Sequence, residues 1–563
     1  MNIYQQLQLF RIDMRTSFIG KIMAINVVLL ISLSVFPLAC GGTDDEILEI
    51  SEPGQAEEAI SLYSTQISKN TNDSRAYSKR AEAYVAIGRY LEAVNDYTEV
   101  IRIGPEDSNN YVSRGNAYLE IDKYDKAISD FSKVIELEPT SAKGYSLRGE
   151  SYYESGDFDN ALIDFSSSLN INPDNFEALN DRGMTYGQLG QSREAINDFT
   201  KASLLQPNDP WAHVNMGVAN TRLAEYELAV SNFDDAIAID STIARAYSNR
   251  GYAKEKLGLI EDAISDYSDS IRLEPKDDWV YPNRGMAYQR IGEYDKAIED
   301  FSEAIRIDPS DVWSIRDRAS LYSNLNDYDK AISDYGKIMK LDPDDVWTYR
   351  NRGKAYRDSG QSQLAIQDYD TAIKMEPDYP TTYIDRGNVY GSMGEFNRSL
   401  ADFDRAIAIA PEEALAYLGR AGAYSMTGNI EKSVEDYGEA IRIDPQSPDA
   451  RFGRAIVYAN SGDLEKAIED FSAAINLDPQ YVPAYLNRGI TYDVLGQFEL
   501  SVQDYGYVIG LDSEYGPAYA SRAVAYTQLG EDLEADRDAE RAIELGIDSE
   551  RLRNSIEAVK NSR

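Results

Sequence analysis

Chemistry in this chain has to come from tryptophan and cationic side chains, because little else is available. His213 is the only histidine and Cys40 the only cysteine. A His-based metal site, a Ser-His-Asp or Cys-His centre and a disulfide framework therefore each lack residues they need. Neither enzymatic activity nor a cofactor is expected. The four tryptophans, Trp211, Trp279, Trp313 and Trp347, stand at multiples of 34 residues from one another. Arg245, Arg290, Arg316, Arg350, Lys354 and Arg357 fall in the same stretch. An indole beside a guanidinium suits a ligand with carboxylate or phosphate groups and flat apolar faces. Acidic peptide segments are the first candidate, and anionic glycans whose sugar faces stack on Trp are the second. The competing reading is that the indoles only pack on the preceding turn and the cations balance acids on neighbouring helices. Nucleic acid is not an expected partner: 96 acidic against 56 basic residues give a net charge of -40, and phosphate contacts need clustered cations. An aromatic fraction of 11% places that acidity on a folded body rather than a disordered tail.

The elements that must position these residues follow a period of 34. Prolines recur in that register from Pro105 and Pro139 to Pro445 and Pro479, and fourteen repeats run from Ser74 without an insertion. Numbering columns from Ser74 as column 1, the recurring residue types fall at columns 4, 7, 8 and 11 and then 20, 24, 27 and 28, helical spacing in both blocks. Column 15 is Gly in 11 of 14 repeats, the residue that ends a helix in the left-handed conformation. Each repeat therefore reads as helix, tight turn, helix and a proline-marked turn. Large residues face small ones across the pair. Column 8 is always Gly or Ala, opposite an aromatic at column 24 such as Phe131, Phe301 or Tyr437 in all repeats but the last, as close packing of two antiparallel helices requires.

With Tyr281-x2-Arg284-Gly285-x2-Tyr288, then Ala297-x3-Phe301 and Pro309, the unit resembles the tetratricopeptide repeat. The resemblance implies an all-α, right-handed superhelical solenoid of about 14 helix-turn-helix units. It also implies a concave groove lined by the first helix of each pair, and protein or peptide ligands. The expected organisation is 1–39 signal peptide or membrane anchor, 40–53 acidic linker, 54–70 half-repeat helix, 74–547 solenoid and 548–563 capping helix. The family's clamp for a C-terminal carboxylate, Lys at column 5 with Asn at column 9, is absent from every repeat. One departure from the family pattern is systematic. Column 7 is Arg and column 23 is Asp, each in 13 of 14 repeats, and the exceptions, Met216 and Asn232, share repeat 5. A structural Arg-Asp pair inside each repeat is expected.

Columns 2, 5, 9, 12 and 13 are left for the groove. They read as acidic in repeats 1 to 4 and cationic with Trp in repeats 5 to 9. In repeats 10 to 14 they are apolar, with Ile384, Leu418, Phe452, Ile456, Leu486 and Ile490. Trp211, Arg245, Trp279, Arg290, Trp313, Arg316, Trp347, Arg350, Lys354 and Arg357 are the candidate ligand-binding residues. Repeat 5, which carries His213, Met216, Asn220, Ala224 and Asn232 in place of the usual residues, is expected to be a weaker joint where the solenoid bends.

The first forty residues read as an address. Arg11, Arg15 and Lys21 precede the uncharged run Val27–Phe36, the length of a signal-peptide core. Pro37-Leu38-Ala39-Cys40 resembles a bacterial lipobox, in which the Cys is acylated. The alternative is an uncleaved anchor over Ile22–Ala39, which just reaches spanning length. Either implies an extracytoplasmic, membrane-anchored protein. Two functions are expected: an envelope-anchored scaffold that binds protein or peptide partners with acidic and aromatic or apolar segments, or a capture protein for acidic peptides or anionic polysaccharide serving export or uptake. The sequence leaves the oligomeric state unknown.

Overall fold

A computed structural model describes residues 53–562, all of whose regular elements are α-helices, thirty in number. Cys40 and the expected leader and linker lie outside the described residues, apart from Pro53, which opens the first helix. Among the described residues no helix is long and apolar enough to cross a membrane, and no cluster of His, Cys, Asp or Glu is arranged to hold a metal ion.

Each repeat folds as two antiparallel helices, for example Ala244–Lys256 with Ile260–Leu273 in repeat 6. The turn between them needs a left-handed residue, and column 15 has positive φ in all fourteen repeats. Eleven of these are Gly, while Asp122, Ala224 and Asn326 adopt the conformation at φ 56°, 59° and 61°. Ala224 has no polar side chain to offset the cost, so repeat 5 carries local strain there. Column 8 is small because the column 24 ring sits on its α-carbon. A β-carbon on Gly217 would lie 2.5 Å from Phe233, and one on Gly115 would lie 2.6 Å from Phe131. Those rings, with Phe165, Phe301, Phe403 and Phe471, are among the most deeply buried side chains.

The helix pairs form an all-α solenoid that divides into two compact units, one up to Pro309 and one from Ser310. Within each unit the second helix of a repeat packs on the first helix of the next. Helix Pro53–Lys69 starts the first unit, burying Ala59, Tyr63 and Ile67 against Ala76 and Ala83. Helix Ser549–Ser562 closes the second, with Leu552 and Ile556 on Ala523, Ala539 and Ala542. The division falls at Pro309 and not in repeat 5, whose core of Val214, Phe233, Ala236, Ile243 and Ala246 runs on into repeat 6.

All thirteen expected Arg-Asp pairs are formed. In each, Nε and Nη2 of Arg donate to the two carboxylate oxygens of the Asp sixteen residues on, at 2.6 to 3.0 Å. The Asp is nearly buried and the Arg partly so, for example 3% against 17% side-chain exposure for Asp504 and Arg488. Bidentate, charge-assisted geometry of this kind fixes orientation as well as adding energy. The sequence reading did not find the third bond. Nη1 of the same Arg reaches back sixteen residues to column 25 of the preceding repeat: Arg80 to Ser64, Arg114 to Thr98, Arg284 to Ser268 and Arg488 to Ser472. Where column 25 carries Ser, Thr or Asp, the guanidinium therefore ties two successive helix pairs together, and the signal was the run of those residues at that column. Repeat 5 makes a weaker substitute, with Thr200 Oγ1 3.4 Å from Met216 Sδ. Its His213 is only partly buried, with Nδ1 3.8 Å from Asp235.

Candidate functional site

Within the N-terminal unit, the first helices of repeats 6 and 7, Ala244–Lys256 and Val280–Arg290, lie side by side and enclose a cleft of about 380 Å³. Tyr252, Glu255 and Lys256 form one wall, and Asn283, Met286, Gln289 and Arg290 the other. Six of these seven residues occupy columns 9, 12 and 13, and Asn283 adds column 6.

A buried acid sets the position of one of the cleft's two cations. Glu255 is 9% exposed, accepts a hydrogen bond from the Tyr267 hydroxyl at 3.1 Å and one from Arg290 Nη1 at 3.2 Å. Arg290 is still about half exposed. Lys256 Nζ lies 4.7 Å over the Tyr252 ring, and Trp279 leans on the same tyrosine with ring centroids 6.4 Å apart. Asn283 donates to the Trp279 carbonyl at 2.6 Å, which fixes the first turn of the helix. The result is a cleft with apolar Tyr252 and Met286 on its two walls, Trp279 backing the tyrosine, and two cations beside them. Asp277 accepts the Trp279 backbone N–H at 3.1 Å, and burial pushes its carboxyl up to about 6. Trp211 and Arg245 are not part of the cleft: Trp211 is 43% exposed on repeat 5, and Arg245 adds positive potential near buried Arg222, whose guanidinium burial lowers to about 10.

Within the C-terminal unit the same residue types are arranged differently. The Arg316 guanidinium is stacked between two indoles, 4.8 Å from Trp313 and 4.5 Å from Trp347, and donates to Asp345 at 2.7 Å. Trp347 sets its edge on the buried Tyr335 at 6.0 Å. Arg350 lies 3.6 Å over the Tyr379 ring, bonds Thr382 at 3.0 Å and pairs with Glu376. Arg357 holds Asp358 at 2.8 Å and Asp385 at 3.1 Å. Only Lys354 among these candidates is an exposed cation with no ion pair formed. Asp317, next to Arg316, has its carboxyl pushed up to about 6 by burial and by Asp311. The cation excess read from five columns is thus met in this unit by acids from columns 6, 31 and 34, which that reading left out.

The apolar zone of repeats 10 to 14 also lies in the C-terminal unit. Leu415, Met426, Ile490 and Val494 are 44 to 71% exposed. Leu418, Phe452, Ile456 and Leu486 are half-buried among them.

Comparison with known proteins bears on the repeats. A TPR repeat family model matches residues 115–156, 149–190, 319–360, 353–394, 426–462 and 457–493. Two tetratricopeptide repeat models match 281–311 and, in four segments, 74–107, 176–209, 244–277 and 380–413. Together these span well over half of the chain. No curated protein matches it at a significant level. Among solved structures, MamA is 29% identical with a TM-score of 0.28, covering 29% of this chain and 94% of its own. Yeast Tom70 is 16% identical with a TM-score of 0.35, covering 76% and 96%. YrrB, described as a TPR protein with an unusual peptide-binding site, is 22% identical with a TM-score of 0.29, covering 33% and 94%. Superpositions that poor carry no weight here, and the repeat matches stand without them. The chain belongs to the tetratricopeptide repeat family.

Proposed function

We propose that the protein is a non-enzymatic scaffold that holds an acidic peptide segment bearing an aromatic or apolar side chain in the cleft between repeats 6 and 7. The supporting observation is the pairing of that apolar lining with Lys256, which lies over the Tyr252 ring, and with Arg290, which buried Glu255 orients without covering. A carboxylate of the ligand meets the two cations, and its apolar neighbour packs on Tyr252, Trp279 and Met286. Interfaces draw their energy from a few such aromatic and Arg anchors. Trp313, Arg316, Trp347, Arg350 and Arg357 are then mainly structural, because their charges are already met.

The test is titration of a fluorescent Glu/Phe peptide against the wild type, Lys256→Ala/Arg290→Ala and Arg316→Ala. Loss of binding in the first variant and retention in the second supports the reading. Equal binding by all three sinks it. Anionic oligosaccharide is the second ligand to titrate, because the exposed Trp211 indole offers a face on which sugars stack. We further read the first forty residues as an export signal that leaves Cys40 acylated and the solenoid tethered outside the cytoplasm. A palmitate-labelled product lost on Cys40→Ser tests this.

A further inference from the structure

The exposed apolar face of repeats 11 to 13 belongs to the C-terminal unit and calls for a ligand opposite in charge to the one proposed for the cleft of repeats 6 and 7. Its four most prominent side chains, Leu415, Met426, Ile490 and Val494, stand on columns 2, 13, 9 and 13 of first helices Ala414–Met426 and Val482–Val494. Between those helices runs Pro448–Ser461, which contributes Phe452 and Ile456. Phe452 is held edge-on by Tyr481 at 5.4 Å. Contiguous apolar exposure rimmed by polar groups marks an interaction site in a soluble protein.

Charge selects the occupant. Columns 2, 5, 9, 12 and 13 of repeats 10 to 14 hold no Lys or Arg, and the two charged residues there are acids, Asp449 and Asp493. Both are fixed in place: Asp449 accepts from the Tyr481 hydroxyl and Asp493 from the Tyr505 hydroxyl, each at 2.6 Å. A second copy is a poor fit, because it would bring a like-charged face and a net charge of -40 against its own equal. Anionic lipid is repelled for the same reason.

We infer that this face docks an amphipathic segment of a partner protein whose apolar stripe is flanked by Lys or Arg. The apolar stripe covers Leu415, Met426, Ile490 and Val494, while the cations lie against Asp449 and Asp493. The inference extends the scaffold reading to a second surface, but its test does not depend on the cleft.

Three labelled helical peptides of about four turns, Leu/Lys, Leu/Glu and Ser/Lys, are titrated into the full chain by fluorescence anisotropy. Leu/Lys is expected to bind at least about tenfold more tightly than either of the others, a difference set by apolar burial against Leu/Lys's own charge control and by charge sign against Leu/Glu. Met426→Gln/Val494→Thr, at exposed positions that leave thermal unfolding unchanged, is expected to weaken Leu/Lys about tenfold, while Lys256→Ala/Arg290→Ala leaves it as it was. Ser/Lys binding as tightly as Leu/Lys would reduce the effect to bulk charge and overturn the inference. So would full Leu/Lys binding by the Met426/Val494 variant, or a concentration-dependent dimer in sedimentation that this variant abolishes. Loss of Glu/Phe binding with Leu/Lys binding intact would fault only the cleft.

Discussion

Arg290 and Arg316 occupy first helices of adjacent repeats, each beside a tryptophan and each bonded to an acid, yet they are left in different states. In the N-terminal unit Arg290 shares one oxygen of a buried Glu255 and keeps half its surface in solvent. In the C-terminal unit Arg316 is stacked between Trp313 and Trp347, its Nη2 on Asp345, with a fifth of its side chain exposed. The same pair of residue types therefore serves as an open receptor in one place and as internal packing in the other. What decides between them is where the neighbouring acid and second indole stand. A count of charges on the groove columns alone misses this.

The comparison can be broken or sharpened by mutation. The largest effect is expected in the scaffold both regions share. Arg352→Leu leaves Asp368, 6% exposed, without its partner, and should lower unfolding free energy by about 3 to 5 kcal/mol. The Arg352→Leu/Asp368→Leu double variant should recover most of that in chemical denaturation. Simple addition of the two single losses would show that the pair is not coupled.

Next comes the contrast itself. Arg316→Ala should cost about 2 kcal/mol of stability by leaving two indoles and Asp345 without the guanidinium, with no change in Glu/Phe peptide affinity. Arg290→Ala should act mainly on binding, weakening that peptide about tenfold, or roughly 1.4 kcal/mol, with some loss of stability because Glu255 keeps only the Tyr267 hydroxyl. If Arg316→Ala is silent in stability, the distinction between receptor and packing fails.

Acidity does not separate the units, because each holds a buried carboxyl raised to about 6, Asp277 in the first and Asp317 in the second. The Asp277 carboxyl is raised to about 6 by burial, so its ionised form is disfavoured in the fold. The stability it contributes is present below about pH 4, its ordinary carboxylate range, and is lost as pH rises through 6. Asp277→Asn should flatten the pH dependence of unfolding across that window and stabilise the protein at pH 7 by roughly 1 to 2 kcal/mol. A slope unchanged by the substitution would place the titration elsewhere.

The smallest effect concerns the ties between repeats, where the two units also differ. The N-terminal unit has Ser, Thr or Asp at column 25 throughout, whereas the C-terminal unit has Gly336, Gly438 and Gly506. A β-carbon on Gly506 would lie 3.5 Å from Arg522 Nη1, so Gly506→Ser places a hydroxyl where the tie is missing. Added helix propensity and one hydrogen bond should raise stability by about 1 kcal/mol, read as a higher melting temperature.

Much of the fold was legible because the 34-residue period repeats the same steric problem fourteen times. Gly or Ala at column 8 could only mean a ring on the opposite helix, and the lone Met216 with Asn232 pointed to a pairing that the structure forms thirteen times over. The site was less legible for a definite reason. Asn283, Asp317 and Asp385 at column 6, Glu376 at column 31 and Asp345 at column 34 reach the groove from positions outside the five chosen columns, and they decide which cations remain available. The backward bond of Arg to column 25 went unseen because the pairing was sought only within a repeat. The expected bend at repeat 5 rested on the same omission, since Arg250 of repeat 6 still grips Asp234 of repeat 5 at 2.5 Å.

That grip bears on how such a chain changes length. Each paired arginine looks sixteen residues forward and, where a polar column 25 residue stands there, sixteen back, so no contact of this kind knows how many repeats precede it. Excising residues 414–447 would carry Arg454 past Gly438 and onto Asp404, a partner already suited to Arg420. Within a unit, losing or gaining a whole repeat keeps this sixteen-residue register, while an insertion of any other length breaks it, so the pairing favours growth or shrinkage in steps of one full helix pair.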